Sequence, residues 1–530
     1  PRGVIYDRNG VIICENKPVV TAIFYPFMSS RSEPVLEDLI NRVEKVIPLS
    51  RKKIIDAMRN STAAVLKENL TREETFRILE QQRNLKGLSV ITAMKRYYPF
   101  GEYGSHFLGY IGEISQQELN EPKYSVYRQG DWIGKTGIEA KYDSYIRGID
   151  GGIFIESDAG GRQTRVVEKI EPIPGNKLLL TVDMELQNIA EAALSETGRP
   201  GAIVGIDPSN GAIRVLVSQP GFDPNKFITS QNEVTEYLEN KDLPLYNRAT
   251  QAQYPPGSVF KVITAASALN EDVIKVEQKF NCPGYFVLGR RTFKCWEEKG
   301  HKIVSFIPGV VNSCDVYFYN VGLKTGIDNI SSYAEKFHLG APLKIDLPSE
   351  NPGFIPDAKW RKATFPRGWV NGDTANVSIG QGYLTVTPLQ CATLAAVIAS
   401  RGKIFNPYLV ERILDKSGNK IYEKKPTKIT EIELKKEVWD VLQSALEGVV
   451  ERGTGYASFV IGFRAAGKTG TVQNPHGKDH AWFIAYGPVE NPQIALSIIV
   501  EGGGKGGSVA APIAKKIFSG LKNEGRRVKR

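Results

Sequence analysis

An α+β fold is predicted for this 530-residue chain, and two observations carry that expectation. Alternating apolar runs cluster at both ends of the C-terminal two-thirds of the chain, and helical patterns fill the stretch between them. The N-terminal part mixes helical stretches with strand-like pieces and is rich in charge and Tyr. The expected architecture is a C-terminal sheet domain with a helical insertion, plus an elongated α+β N-terminal pedestal.

In chain order, the pedestal should contain a strand over 19–25 and helices over 33–46 and 51–58. The helix-rich stretch 33–88 forms a head subregion. Three glycine-punctuated segments recur, at 2–10, 96–112 and 134–148, and read as turns and packing motifs of a scaffold. The breaker run Glu171-Pro172-Ile173-Pro174-Gly175-Asn176 marks a boundary, giving a pedestal over 1–172, a second domain over 173–522 and a basic tail over 523–530. Past the boundary comes a strand over 178–182, then an amphipathic helix from Asp183 carrying Leu186, Ile189 and Leu194. Two alternating runs split by Pro208-Ser209-Asn210-Gly211 read as a hairpin. Helices follow over 259–269 and 316–323. Strands return at 463–472, 481–487 and 494–501, before a helix over 512–521.

Composition narrows the function classes. With 41% hydrophobic and 24% charged residues the chain is globular, which excludes a disordered or fibrous protein. The net charge of +10 is spread thinly and forms no dense basic cluster before the last few positions. That excludes the concentrated basic face of a nucleic-acid binder and suits anionic neighbours. Five cysteines are too few, and odd in number, for a disulfide framework. No run reaches the ~18 apolar residues of a membrane helix. Because the chain opens on Pro1-Arg2-Gly3, a targeting segment is expected to have been trimmed ahead of it.

The sharpest local signal is Tyr254-Pro255-Pro256-Gly257-Ser258-Val259-Phe260-Lys261. The prolines and glycine force a turn, after which Ser258 stands at a helix N-terminus with Lys261 one turn on. A desolvated lysine there can take the serine proton, and helix N–H groups favour the developing negative charge. The bland alternative is an N-cap serine with a solvated lysine. Ser313-Cys314-Asp315 offers a second hydroxyl that could relay a proton to a leaving amine. Lys-Thr-Gly occurs three times, at 135–137, 324–326 and 468–470. Only Lys468-Thr469-Gly470-Thr471 lies in a strand pattern, behind small Ala465, Ala466 and Gly467, where a substrate backbone can approach. The same stretch matches the phosphate-loop pattern Gly462-x-x-x-x-Gly467-Lys468-Thr469. A phosphate loop must open into a helix, and here the chain extends and then turns, so nucleotide binding is set aside.

Ser-x-x-Lys, Ser-x-Asp and Lys-Thr-Gly in this order resemble the serine acyl-transferase set of penicillin-binding proteins and β-lactamases. The chain resembles a class B penicillin-binding protein, most closely the elongation-type penicillin-binding protein 2, over nearly its whole length. The likeness extends through Gly380-Gln381-Gly382, Thr387-Pro388-Leu389-Gln390 and Trp482-Phe483-Ile484. It implies a penicillin-binding/β-lactamase-like catalytic domain and a peptidoglycan D,D-transpeptidase inhibited by β-lactams. Ser258 would attack D-Ala-D-Ala with Lys261 as general base, and Ser313 with Asp315 would serve the leaving D-Ala. Lys468, Thr469, Gly470 and Thr471 would hold the terminal carboxylate and donor strand, with an oxyanion hole at the N–H groups of Ser258 and Thr471. Asp315 replaces the family's usual Asn, which adds a charge and removes an amide donor. Alternatives on the same fold are a β-lactamase, for which no Glu-x-x-Leu-Asn-like stretch is found, and a non-catalytic penicillin-binding sensor.

Cys282, Cys295, His301 and Cys314 fall within 33 residues, with Gly284, Gly289 and Gly300 between them. Their types suit a structural Cys₃His zinc site, although the spacing is that of neither finger nor ribbon, and four unrelated residues are the alternative. The resemblance favours zinc. It also implies a single N-terminal anchor in the inner membrane, an extracytoplasmic catalytic domain, and partnership with a membrane glycan polymerase and rod-shape scaffold proteins docked on the 33–88 head. His476 and His480, flanking the turn after the third motif, are assigned no role.

Overall fold

The structure is a computed structural model, and it describes every residue except 27, 28, 30, 31, 49, 62, 82, 83, 158–162, 230, 475, 476 and 528–530. The C-terminal half is built on a five-stranded antiparallel sheet. Its order is Ile213–Gln219, Gly201–Ile206, Ile494–Val500, His480–Gly487, Ala466–Val472. The expected hairpin supplies the first two strands, and the three late strands complete the sheet around the helical insertion. Both faces are covered, so the inner strands are apolar without alternation. Met184–Ser195 and Gly506–Arg527 shield one face through Leu186, Leu194, Ile517 and Phe518. Pro388–Ala399, buried along its whole length, and Lys261–Asn270 shield the other. Met184–Ser195 starts where expected because the Asp183 carboxylate accepts the N–H groups of Glu185 and Leu186.

Three glycine-punctuated pedestal segments converge on one buried carboxylate. Glu139 accepts from Arg2 Nη2 at 2.7 Å and from Arg96 Nε at 2.7 Å, while Arg96 Nη1 donates to the Gly3 carbonyl. Burial alone would lift the Glu139 pKa, but Arg96 and Arg2 outweigh it and hold it at about 2. The glycines are there for close approach. A Cβ on Gly109 would stand 1.9 Å from the Thr136 carbonyl oxygen, and one on Gly134 the same distance from that of Glu139.

The head has its own small core of Phe24, Ile40, Val43, Ile54, Leu66 and Ile78. A larger sheet crosses the expected boundary at 172. Its order is Lys420–Glu423, Val410–Leu414, Lys177–Leu180, Ile5–Tyr6, Ile12–Phe24, Ala64–Lys67, with Leu88–Tyr97 also pairing Ile12–Phe24. Strands from both halves of the chain are therefore hydrogen-bonded to one another. The last helix, Gly506–Arg527, starts before Pro512 and extends into the stretch expected as a basic tail.

Candidate functional site

Ser258 sits in a 3-10 turn, Gly257–Val259, that leads directly into the helix Lys261–Asn270. Two contacts fix this turn. Gly257 donates its N–H to the Gly380 carbonyl at 2.9 Å, and a Cβ on Gly380 would stand 2.0 Å from the Gly257 carbonyl oxygen. Only glycine fits at 380, where φ is +76°. On the other side, a Cβ on Gly257 would lie 2.8 Å from the Thr471 carbonyl oxygen. The N–H and C=O of a strand residue project to the same edge, so the Thr471 N–H also faces the Ser258 turn. The strand Ala466–Val472 is the outer strand of its sheet, which leaves that edge open to an extended ligand.

Below the turn, Lys261 is buried and donates three hydrogen bonds, to Ser313 O (2.8 Å), Ser313 Oγ (3.2 Å) and Asp315 Oδ1 (2.7 Å). Lys468 Nζ reaches the same Ser313 hydroxyl at 2.8 Å and also bonds its neighbour's Thr469 O. Burial pushes the Lys468 ammonium well below the ordinary lysine range; the Lys261 charge adds to that and Asp315 partly offsets it. Ser313 holds φ at 51°, in the left-handed region a serine seldom adopts. Among the described residues the Ser258 hydroxyl has no hydrogen-bond partner.

Of the five residues read from the sequence as catalytic, Lys261, Ser313, Asp315 and Lys468 thus form one hydrogen-bonded cluster next to the turn that carries Ser258, with Thr469, Gly470 and Thr471 on the strand of Lys468. Gly470 packs so closely that a Cβ would meet Trp482 Cβ at 2.9 Å and the Pro256 carbonyl oxygen at 3.1 Å. The other Lys-Thr-Gly copies lie in helix-boundary settings: Gly137 opens a short pedestal helix and Gly326 caps Asp315–Thr325. The phosphate-loop pattern is excluded structurally, since Gly467-Lys468-Thr469 lies inside a strand.

Sequence reasoning missed two supporting residues. Trp296 donates its backbone N–H to Asp315 Oδ2 at 2.9 Å and its indole N–H to Ser313 O at 3.1 Å. Thr454 shares a 2.6 Å hydrogen bond with Thr469 through their hydroxyls. A backbone donor carries no residue signature, and Thr454 lies in a glycine-flanked loop without a catalytic pattern.

The ligand atoms of Cys282, Cys295, His301 and Cys314 lie within 4.8 Å of one another. His301 Nδ1 is 3.7 Å from Cys282 Sγ and 3.6 Å from Cys295 Sγ. Cys295 and Cys314 share a hydrogen bond that draws the Cys295 pKa down to about 5 and raises that of Cys314, with burial raising it further. The Cys314 sulfur also accepts the Tyr317 N–H and caps the Asp315–Thr325 helix. His480 does not join this cluster. Its Nδ1 accepts the Gly502 N–H at 3.0 Å, and His476 lies outside the described residues.

Two family profiles match the chain: "Penicillin-binding Protein dimerisation domain" over residues 1–180 and "Penicillin binding protein transpeptidase domain" over residues 201–519. The chain is 34% identical to the peptidoglycan D,D-transpeptidase MrdA of Acinetobacter baumannii, over 98% of this chain and 80% of that protein. Among solved structures it is similar to Helicobacter pylori PBP2 in complex with MreC (28% identity, TM-score 0.84, covering 99% and 98% of the two chains). Pseudomonas aeruginosa PBP2 in complex with WCK 5153 aligns at 32% identity and a TM-score of 0.73, covering 98% and 95%.

Proposed function

The chain belongs to the penicillin-binding protein 2 family of peptidoglycan D,D-transpeptidases, and on that premise we propose that Ser258 is its nucleophile and Lys261, Ser313 and Lys468 its proton relay. One observation carries this reading: two buried lysines from distant segments meet on a single serine hydroxyl directly beneath the Ser258 turn.

As positioned, Lys261 is a triple donor, so it must pass on a proton before it can accept one from Ser258. Ser313 Oγ provides the path. It touches both ammonium groups, and Lys468, driven toward its neutral form, can receive the proton. Neutral Lys261 then removes the Ser258 proton as Ser258 Oγ bonds the carbonyl carbon between the two D-Ala residues. The Ser258 and Thr471 N–H groups would hold the oxyanion. As the tetrahedral species collapses, the proton returns through Ser313 to the leaving D-Ala nitrogen. The Asp315 side chain stands beside the relay, bonded to Lys261 through Oδ1. Lys468, Thr469 and Thr471 would bind the terminal carboxylate, and the open edge of Ala466–Val472 would pair with the donor stem as an added strand. A β-lactam would enter by the same route and leave a slow acyl-enzyme at Ser258.

The Cys₃His cluster fits zinc. A tetrahedral ion with bonds of about 2.3 Å to sulfur and about 2.0 Å to nitrogen sets sulfur and nitrogen about 3.5 Å apart, close to the 3.7 and 3.6 Å from His301 Nδ1 to the Cys282 and Cys295 sulfurs. Bound there, the ion would supply no chemistry to the reaction. It would neutralise the thiolates and brace Cys314, the residue between Ser313 and Asp315. We further assign the chain to cell elongation at the outer face of the inner membrane, with a membrane glycan polymerase and rod-shape scaffold proteins as partners. Support comes from the similar PBP2–MreC complex and a similar peptidoglycan synthase complex that couples polymerisation to crosslinking. The separate core of the 33–88 head suits a docking module. Among the described residues no helix is long and apolar enough to cross a membrane.

Labelled penicillin followed by peptide mass spectrometry tests the nucleophile: the adduct should map to Ser258 and vanish in Ser258→Ala. An adduct elsewhere, or none on folded protein, would remove the assignment.

A further inference from the structure

A second stretch borders the Ser258 turn: it runs from the helix Ala358–Thr364 through the helix Asn371–Ser378 to Gly380–Tyr383. Its inner end is the Gly380 carbonyl that holds Gly257. Its outer end is an aromatic cluster organised around one guanidinium. Arg361 stacks on Phe365 at 4.1 Å and Tyr383 at 4.9 Å, donates to the Tyr383 hydroxyl at 2.5 Å, and approaches Asp373 at 3.8 Å. Trp360 meets Phe354, Phe365 and Tyr383 edge-on. Tyr383 remains 39% exposed, and its Cα can lie no further than about 11 Å from that of Gly380, three residues away.

Exposed charge on this ledge is one-sided. Lys359, Lys362 and Arg367 are exposed, whereas the nearby acids are half-buried and engaged: Asp357 accepts the Trp360 N–H and Asp373 lies against Arg361. Folding alone does not call for an exposed cationic row beside partly exposed aromatic rings, and a carboxylate-bearing partner would complement it. The donor stem occupies the Ala466–Val472 edge, so the second substrate of a transpeptidase must reach the Ser258 ester from another side.

We propose that the Arg361–Tyr383 ledge, with Lys362 and Arg367, is the docking subsite of the acceptor stem peptide, recognised through its free carboxylates. The proposal rests on the acyl-transfer reading above. The docked stem presents its side-chain amine to the Ser258 ester. A carbon–nitrogen bond forms, the bond from the carbonyl carbon to Ser258 Oγ breaks, and the proton lost by the amine returns to Ser258 Oγ.

The test is a ligand-observed NMR titration of the full chain with N-acetyl-L-Ala-γ-D-Glu-L-Lys. This probe carries two carboxylates and one amine and, lacking D-Ala-D-Ala, cannot be a donor. Wild type should show saturable binding. Lys362→Gln with Arg367→Gln should weaken it at least fivefold, and so should Tyr383→Phe with Arg361→Gln if that pair folds. A control pair far from the groove, Lys416→Gln with Lys425→Gln, should stay within twofold of wild type. No saturable binding, equal binding in the Lys362/Arg367 pair, or equal loss in the control would each overturn the proposal. Penicillin adduct formation at Ser258 in wild type is scored separately, so failure there strikes the nucleophile assignment and leaves the ledge result readable.

Discussion

Asp315 serves two partners with its two oxygens: Oδ1 holds Lys261, and Oδ2 accepts the Trp296 N–H. Asp315→Asn can keep the first contact through its carbonyl oxygen, but it turns a second donor against Trp296. Leaving that N–H unmatched should cost about 1–3 kcal/mol, read as a lowered melting temperature. The charge change has a separate signature. Asp315 raises the Lys468 pKa, so removing it should depress Lys468 further and keep it neutral at lower pH. The acid limb of the acylation rate should therefore move to lower pH in Asp315→Asn. A limb that stays fixed would show that Lys468 does not titrate in this step. Ser313 allows a sharper separation of fold from chemistry. Glycine is at ease at its φ of 51°, so Ser313→Gly should leave the melting temperature within a few degrees. Loss of the hydroxyl should slow acylation about 10²–10⁴-fold, the range for a positioned proton carrier. Parallel loss of folding would mean the hydroxyl is structural. The residues that meet beneath the Ser258 turn were legible in the sequence because three short motifs, each common alone, stand together in a set order. Trp296 was not, since what it gives Asp315 is a peptide N–H that any residue but proline could supply.

Elements decide which copies of a motif count. The strand setting of Lys468-Thr469-Gly470 and the cap at Gly326 were legible from context because a strand edge and a helix cap use the same glycine for different reasons: close approach at Gly470, a left-handed φ of 77° at Gly326. Element ends were read less well. The last helix was expected to begin at Pro512, since proline favours a first turn. It begins at Gly506, where the chain must pass so close that a Cβ would stand 2.1 Å from the Trp482 carbonyl oxygen. That constraint is tertiary and leaves no local pattern. The strand Ile12–Phe24 likewise starts seven residues before its expected position, because pairing along Leu88–Tyr97 extends it through Pro18 and polar residues. The hairpins around Cys282, Cys295 and His301 belong to this scale too. Strands Phe280–Cys282 with Lys302–Val304, and Tyr285–Leu288 with Arg291–Lys294, are two-stranded only, and such ribbons are marginal alone. With zinc bound they should be held by the ion. Elemental analysis should give about one zinc per chain, and chelation should lower the melting temperature by several degrees and slow acylation through Cys314. Metal-free protein of undiminished stability would remove the zinc assignment.

At the scale of the whole molecule, two buried glutamates make stability depend on pH in opposite senses: Glu139 inside the pedestal, and Glu191 at its junction with the catalytic half. Glu139, held at about 2, contributes stability that is fully present above its ordinary value of 4.5 and is lost as pH falls through about 2. It is silent between pH 5 and 8. Glu191 has no cation to match. It lies on the Met184–Ser195 helix and accepts the Gly104 N–H of the pedestal at 3.1 Å, as well as Gln187 and Gln219 side chains. Burial lifts its pKa to about 7 despite those bonds. An acid raised on folding contributes stability that is complete below 4.5 and lost as pH rises through 7, a loss on the order of 3 kcal/mol. His106, next to this junction, is pressed down to about 4 by burial and stays neutral throughout the window. Glu191→Gln removes the titrating group but leaves one of the three donors without an acceptor, so its stability at pH 5 should lie below wild type. Its advantage should grow with pH, since wild type loses stability from pH 5 to 8 and the variant lacks that term. Thermal melts at half-unit steps over that range measure the slope directly. A variant that runs parallel to wild type would show that Glu191 stays ionised, and that the pedestal is joined to the catalytic half without a proton in the joint.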